Sequence, residues 1–439
     1  MKRKLIIKLL LLFNLIIFGG LILLLTVPSY KTSSIDFNIG SKTRFIGSSF
    51  SDLKSSYLIF TNITVISDMY EGVEWNNDTS DNPDIAVDNS GNLHVVWQDY
   101  SPGEWGGGSE CEILYANYTS ATGKWSNVTV VSDMYQGVEW NTDDSSDARI
   151  VVDSSDNLHV IWEDHTDGIW GTDKEIMYAN YTSATGKWSN ASVVSDGYGG
   201  VWDWNINNSV DAAIAVDDND NLHVVWEDYS PGVWGPGYDG SDLNLDDKEI
   251  MYVKYNALTG QWSNASVISD GYGGVWGWNT NISADPDIAV NNKGDIYVVW
   301  EEYTPGVWGS GGGDHDEIML AIYSSTKGKW SNASVISDGY GGVWWHNGSV
   351  DDPRIAVDGA DNFHVVWGDD TPGDWGSDDE IMYVKISIAP LIPFGLLFAK
   401  DEENLSGVII ITIIGIASVV AIAIIIILIK KDVIFKRKK

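Results

Sequence analysis

Carboxylates return at a near-constant interval through residues 62–386 of this 439-residue chain. Asp68, Asp133, Asp196, Asp270 and Asp338 each close a short apolar run, and Asp99, Asp164, Asp228, Glu302 and Asp369 stand two places after a repeated tryptophan. A third series, Glu112, Glu175, Glu249, Glu317 and Glu380, opens another apolar run, mostly behind a further acid such as Asp247 or Asp379. Several carboxylates per repeat, joined by backbone carbonyls, suit a hard cation, so Ca²⁺ is the expected cofactor and the first two series its expected ligands. The other use of such acids is to cap loop N–H groups and keep an exported chain soluble. No Asp-x-Asp-x-Asp-Gly loop occurs, and Asp217-Asp-Asn-Asp-Asn221 lacks the glycine and distal glutamate of a calcium loop.

Aromatic residues keep the same rhythm. Trp105, Trp170, Trp234, Trp308 and Trp375 lie in Gly-x-Trp-Gly stretches; Trp75, Trp140, Trp204 and Trp278 precede an asparagine, with His346 in the fifth copy; Tyr70, Tyr135, Tyr198, Tyr272 and Tyr340 begin the same segments. Rings flanked by glycine and by acid or amide groups offer an apolar face with polar tips, which suits stacking on sugars. Rings in long loops can equally fold beneath them and pin them. Trp97, Trp162, Trp226, Trp300 and Trp367, inside apolar runs, read as core. His94, His159, His223 and His364 share one repeat position that Tyr297 fills in the fourth copy, which favours packing and hydrogen bonding over metal ligation. Glycoside hydrolysis needs an acid and a base in unlike environments. Near-identical copies present no asymmetric pair, and no catalytic residue is expected.

The elements that position these groups follow from the repeat. The five core tryptophans are 65, 64, 74 and 67 residues apart, a period that signals a repeat architecture. Within the third copy, Ala213–Asp217 and Asn221–Trp226 are short β-branched runs joined by Asp/Asn turn chemistry, and 249–255 and 262–269 form a second such hairpin. These are strands A, B, C and D of each repeat. Strand B is apolar on both faces, which fits a small sheet sandwiched between like sheets. Copies one to four end with a segment such as Trp188–Asp196; copy five stops at Ile386, and the missing segment stands ahead of copy one at 62–68. The expected fold is therefore all-β: a five-bladed β-propeller closed by an N-terminal strand pairing 62–67 with 380–386. Blade repeats run near 62–126, 127–189, 190–263, 264–331 and 332–386 within a propeller of 57–387. Antiparallel order puts the long D–A and B–C loops on one face and the short A–B and C–D turns on the other. The loop face carries the aromatic and acidic residues and is the expected site.

The formal charge is −36, and both ends are basic, so the acidity lies in the middle. Such a body lacks the basic face that nucleic acid requires, and no nucleic-acid partner is expected. Residues 405–429 are apolar and uncharged, long enough for a transmembrane helix, and the basic tail 430–439 behind them places the C-terminus in the cytoplasm. Residues 1–27 read as a signal peptide or N-terminal membrane anchor, 28–56 as a Ser/Thr-rich linker and 388–404 as a short stalk. The propeller is then extracellular and held at the cell membrane. Twelve Asn-x-Ser/Thr sequons all fall in this outer segment, so a glycoprotein is expected. Cys111 is the single cysteine, which rules out an intrachain disulfide.

Asp88-Asn-Ser-Gly-Asn-Leu-His-Val-Val-Trp97, followed by a hairpin ending Thr122-Gly-Lys-Trp125, resembles sialidase-type (BNR-like) propeller repeats over about residues 57–387. Such repeats carry an Asp-box, Ser-x-Asp-x-Gly-x-x-Trp; here the turn reads Ser120-Ala-Thr-Gly-Lys-Trp125, shorter and without the Asp. Sialidases clamp a substrate carboxylate with three arginines, whereas this ectodomain has Arg44 in the linker and Arg149 and Arg354 in the repeats. The resemblance thus implies a non-catalytic relative. Five-bladed lectins of the tachylectin type are similar in logic, with one modest site per blade summed by multivalency. The expected function is binding of glycans or a surface protein through the aromatic and acidic loop face, with Ca²⁺. Alternatives are a propeller-type glycoside hydrolase and a structural or adhesive component of the cell envelope.

Overall fold

The computed structural model describes residues 44–45, 59–60, 63–67, 76, 78–101, 110–132, 134–135, 138–139, 141–167, 172–196, 205, 207–229, 248–272, 275–276, 282–303, 316–337, 348–372 and 379–387. Among these there is no helix long and apolar enough to cross a membrane, and the apolar segments 1–27 and 405–429 lie outside them. The chain divides into two compact units, Met1–Val65 and Ile66–Lys439. In the first, Arg44–Phe45 pairs antiparallel with Ile59–Phe60.

The described residues of the second unit are all-β and form five main antiparallel sheets in chain order, with two short strand pairs besides. Strands A, B and C are Ser80–Val87, Leu93–Asp99 and Glu112–Thr119 in sheet 1, then Ser145–Val152, Leu158–Asp164 and Glu175–Thr182 in sheet 2. Sheet 3 holds Ser209–Val216, Leu222–Asp228 and Glu249–Asn256; sheet 4 holds Ser283–Val290, Ile296–Glu302 and Glu317–Ser324; sheet 5 holds Val350–Val357, Asn362–Asp369 and Glu380–Ser387. Strand D is not the single strand expected. In sheets 1 to 4 it is two short pieces, such as Lys124–Trp125 and Thr129–Val130, each pairing with strand C. A serine hydroxyl makes the break: the Asn117 N–H donates to Ser126 Oγ at 3.0 Å where a backbone carbonyl would continue the ladder.

Sheet 5 has three strands, without the fourth that was expected to complete it. The expected pairing of 62–67 with 380–386 is absent from the described strand pairings, and residues 63–66 form no strand. What holds Ile66 is side-chain burial against sheet 1, over a cluster of Val95, Trp97, Leu114, Ala116 and Val128.

The A–B turns show why Asp, Asn and His keep their spacing. In sheet 2, Asp153 Oδ1 accepts the N–H groups of Ser155 and Asn157, Oδ2 accepts Asn157 Nδ2, and His159 Nε2 lies 3.4 Å from Oδ2. The far ring nitrogen, Nδ1, meets Tyr178 Oη on strand C at 2.8 Å. Burial acts to raise the Asp153 carboxyl, but these bonds prevail and bring it down to about 2. The same group recurs around His94, His223 and His364. In sheet 4 all three partners change together: Tyr297 replaces histidine, Asn291 replaces aspartate and donates to Tyr297 Oη at 3.0 Å, and Leu320 replaces the strand-C tyrosine. The histidine is a turn lock, as its replacement by tyrosine suggested.

Adjacent sheets are joined by four apolar cores, one for each of the pairs 1–2, 2–3, 3–4 and 4–5. Strand B serves two of them at once: Leu222, Val224 and Trp226 face sheet 2, and Val225 faces sheet 4. Trp226 is fully buried and its Nε1 donates to Asp228 Oδ2 at 3.0 Å. Trp226→Ala should cost about 3–5 kcal/mol in urea unfolding; a cost below about 1 kcal/mol would show that this joint is not closely packed.

Candidate functional site at the loop end

Both long loops of a repeat leave the same end of its sheet, and two polar systems lie at their roots. The first fills the joints. In joint 1–2, Glu112 Oε2 accepts Ser132 Oγ and, at 2.8 Å, Asn141 Nδ2; the amide also donates to Ser145 Oγ, which donates to Asp164 Oδ2, each at 2.8 Å. Trp162 Nε1 and the Thr166 N–H complete Asp164. The chain thus links a carboxyl of sheet 1 to one of sheet 2 through the asparagine that follows Trp140. Asn205, Ser209 and Asp228 repeat it with Glu175 in joint 2–3.

This arrangement decides what the expected cation ligands do in the described structure. Asp99, Asp164, Asp228, Glu302 and Asp369 each accept the indole N–H of the tryptophan two places back, at 3.0–3.2 Å. They cap strand B and the loop behind it. Asp196 and Asp270 are buried at the same level, while Asp68, Asp133 and Asp338 lie outside the described residues. So do Trp75, Trp105, Trp140, Trp170, Trp204, Trp234, Trp278, Trp308, Trp375, Tyr70, Tyr198 and Tyr340. Tyr135 and Tyr272 are placed only by backbone, in the short pairs Met134–Tyr135 with Val138–Glu139 and Gly271–Tyr272 with Val275–Trp276. Glu175 is wholly buried, and its Oε1 has no hydrogen-bond partner. Burial, with the charges of Asp196 and Asp228 behind it, raises its carboxyl to about 9 against the bonds from Ser195 and Asn205.

The second system was not anticipated from sequence. Strand A is bulged at its third residue, where the register against strand B slips. The bulged residues are Asn82, Asp147, Asp211, Asp285 and Asp352, all left-handed with φ of 45–54°. Aspartate and asparagine tolerate this region better than other residues with a Cβ, and a bulge re-aims the side chain out of the pleat. Three of these residues are tied to the preceding sheet. The N–H of Asp147 donates to Gln98 Oε1 at 3.0 Å, and those of Asp211 and Asp285 donate to Glu163 and Glu227 at 2.7 Å. A row of acids therefore runs from sheet to sheet near the strand ends from which the loops leave. Aspartate is disfavoured inside strands, so its recurrence in strand A was the available signal.

Asp211, Glu227 and Asp285 are brought closest together, with one carboxylate oxygen from each within 4.8 Å of the others. Such crowding shifts the carboxyls. Burial raises Glu163 to about 7, opposed by the Asp211 N–H and by Lys174 at 3.2 Å. Burial and then Asp211 raise Glu227 to about 7, opposed by Lys248 at 2.7 Å. Asp211 keeps an exposed edge, yet loss of hydration along the row raises it, with Asp285 and Asp147 adding to the effect. Glu301 has Asp316 where sheets 2 and 3 have lysine. Burial lifts it to about 8, Asp285 and Asp316 add to this, and a bond from Tyr303 opposes it. Asp285 is raised by burial and Asp352 but accepts a bond from Glu301. The copies are thus alike in backbone and unlike in charge, an asymmetry the repeat pattern concealed.

The two arginines lie one step along strand A. Arg149 of sheet 2 and Arg354 of sheet 5 both act on Asp287 of sheet 4, holding down a carboxyl that burial raises. No third arginine occurs among the repeats, in keeping with the missing sialidase clamp.

A carboxyl with a raised value in the fold stabilises it fully below the unfolded value, near 4.5, and loses that contribution as pH rises through the folded value. Stability contributed by Glu175 and Glu301 should therefore fall between pH 5 and pH 9. Thermal melts of Glu175→Gln and Glu301→Gln should show a shallower loss over this range than wild type. His94 and His223, kept neutral by burial, act in the opposite sense below about pH 6.5 but are common to all three proteins. Parallel pH curves would contradict the assignment.

No protein-family model and no curated protein matches the chain. Among similar solved structures, an endo-arabinase from Bacteroides thetaiotaomicron shares 11% identity over 70% of this chain and 94% of its own, with a TM-score of 0.37. A GH93 α-L-arabinofuranosidase of Fusarium graminearum, in complex with arabinobiose, shares 10% over 72% and 84%, with a TM-score of 0.43. A PL25 ulvan lyase shares 10% over 69% and 70%, with a TM-score of 0.37. None of the three is a sialidase, and at such identities and scores they carry nothing about the chemistry of this chain.

Proposed function

We propose that the five sheets are the blades of a propeller held outside the cell by its terminal segments, and that its loop end binds a glycan or a glycosylated surface partner. The observation that carries this reading is the row of bulge-projected acids at the root of loops rich in tryptophan and tyrosine. Carboxylates accept from sugar hydroxyls while rings cover the apolar sugar face. A divalent cation, Ca²⁺ by its preference for oxygen ligands, would be held by Asp211 and Asp285 with Glu227 behind them. Of these, among the described residues, Glu227 alone has an ammonium group as a direct ion-pair partner.

Full-length protein in detergent, applied to a glycan array with and without chelator, should bind a restricted glycan set and lose most of that binding when chelated. Asp211→Asn combined with Asp285→Asn should weaken Ca²⁺ binding at least tenfold by calorimetry. No glycan binding in either condition, with no effect of Ca²⁺ on melting, would sink both parts.

One observation favours hydrolysis as a second reading: Glu301 and Asp285 are neighbours in unlike states, the condition for an acid and base. Their direct hydrogen bond leaves no room for a scissile linkage, since glycosidase carboxyls stand about 5–9.5 Å apart. Turnover of chromogenic glycosides that Glu301→Gln abolishes would replace binding by hydrolysis.

A further inference from the structure

Four joints are described, yet among the described residues no sheet covers the outer face of sheet 5 or of sheet 1. On sheet 5, Ile381 is 77% exposed, whereas Ile113, Ile176, Ile250 and Ile318 at the same repeat position are at 0%. Tyr383 is 58% exposed against 6–8% for Tyr115, Tyr178 and Tyr252. On sheet 1 the uncovered residues are Ile85 and Val87, on the opposite face from the one that meets sheet 2. The two faces are therefore the two halves of one further joint. Sheet 5 offers what every sheet offers to its successor, and sheet 1 what every sheet offers to its predecessor.

We propose that these faces meet within one chain, sheet 5 docking on sheet 1 to close the ring. Ile66 supports the chain's own sheet as occupant. In the described joints the end of strand D supplies one residue to the core, Val131, Val194, Ile268 or Ile336, and Ile66 is their counterpart in sequence. It already packs on the uncovered face of sheet 1. In joints 1–2, 2–3 and 3–4 the strand-C tyrosine meets a tryptophan of the following strand D edge-on, at 5.1–5.2 Å between ring centroids. In the closed ring Tyr383 meets Trp125 in this way.

The joint differs from the others in its polar contacts. Elsewhere a strand-B side chain (Gln98, Glu163 or Glu227) accepts the N–H of the next bulged residue, and turn groups such as Asn89 and Ser154 donate to Asp156 and Asp220. The counterparts at the closing joint are Gly368 for the strand-B acceptor and Gly91 for the turn acceptor, neither with a side chain to accept, so the N–H of Gly359 in the turn-donor position finds no such partner. The joint therefore lacks these strand-B and turn bonds, though Asn76, Ser80 and Asp99 already form the sheet-1 half of the loop-end polar chain, and Asn82 stands beside Asp352 where another aspartate would have added like charge.

This inference rests on the reading of the sheets as blades and is independent of what the loop end binds. Asn82 Nδ2 donates to Asp147 Oδ1 at 3.0 Å across joint 1–2, so the equivalent side chains across the closing joint are the ones to cross-link. Asn82→Cys with Asp352→Cys, in full-length protein whose only native cysteine is the buried Cys111, should form an intrachain disulfide in the monomer. Asn82→Cys with Asp211→Cys should not. A disulfide between chains would assign the faces to a second copy and overturn the proposal, as would free thiols in a folded protein. Should the variant not fold, hydroxyl-radical labelling of wild type decides. Tyr383 should be as protected as Tyr115, and labelling several-fold faster would overturn closure. Failure here with glycan and Ca²⁺ binding intact would leave the functional reading standing.

Discussion

Strand B is apolar on both faces, and the rest of the architecture answers to that. A sheet built around Leu222, Val224 and Trp226 on one side and Val225 on the other has no solvent face, so it needs a neighbour on each side. Repetition supplies the neighbours, because a sheet that fits its successor also fits its own copy. The order of the sheets, the seating of each strand-D end between two sheets and the placing of polar groups at strand ends all follow from this. Those groups can sit only at the ends, since the middle of every joint is dry.

At the ends the polar groups act as units. The Asp–Asn–His–Tyr lock at the A–B turn satisfies turn N–H groups and ties strand B to strand C, and in sheet 4 it is exchanged whole for Asn291, Tyr297 and Leu320. A partial exchange would leave a buried donor or acceptor without a partner, which costs more than the bond is worth. At the loop end the acids are divided between two tasks. Those that end strand B cap it, while the aspartates of the strand-A bulge crowd Glu163, Glu227 and Glu301 of strand B, whose carboxyls burial raises and two of which pair with lysines.

Much of this was legible beforehand. The repeat gave the five main sheets and the two-faced strand gave their stacking, but the last sheet has three strands where 62–67 was expected to complete it. The histidine's structural role could be read from Tyr297 alone. The strand-D break could not, because it depends on a hydroxyl replacing a carbonyl in the ladder. The bulge was also hidden: the pattern Ser-x-Asp-x-x-Ile-Ala-Val looks like a strand entered late, and only the slipped register reveals a left-handed aspartate inside it. Sequence reasoning chose the acids nearest the loops as ion ligands; the five of them that end strand B accept tryptophan N–H groups, a task the spacing of two residues did not announce.

The bulged aspartate limits how this protein could have grown. Duplicating a repeat that projects a carboxylate from strand A adds a like charge beside the previous one each time, so identical copies become harder to accommodate as their number rises. The chain's departures from its own repeat gather at that place: asparagine at 82, glutamine at 98, lysines at 174 and 248, arginine at 354 and glycine at 368. Divergence among the copies is, on this view, a record of electrostatic relief. The backbone stayed constant because packing demanded it, while the side chains drifted apart where uniformity had become a burden.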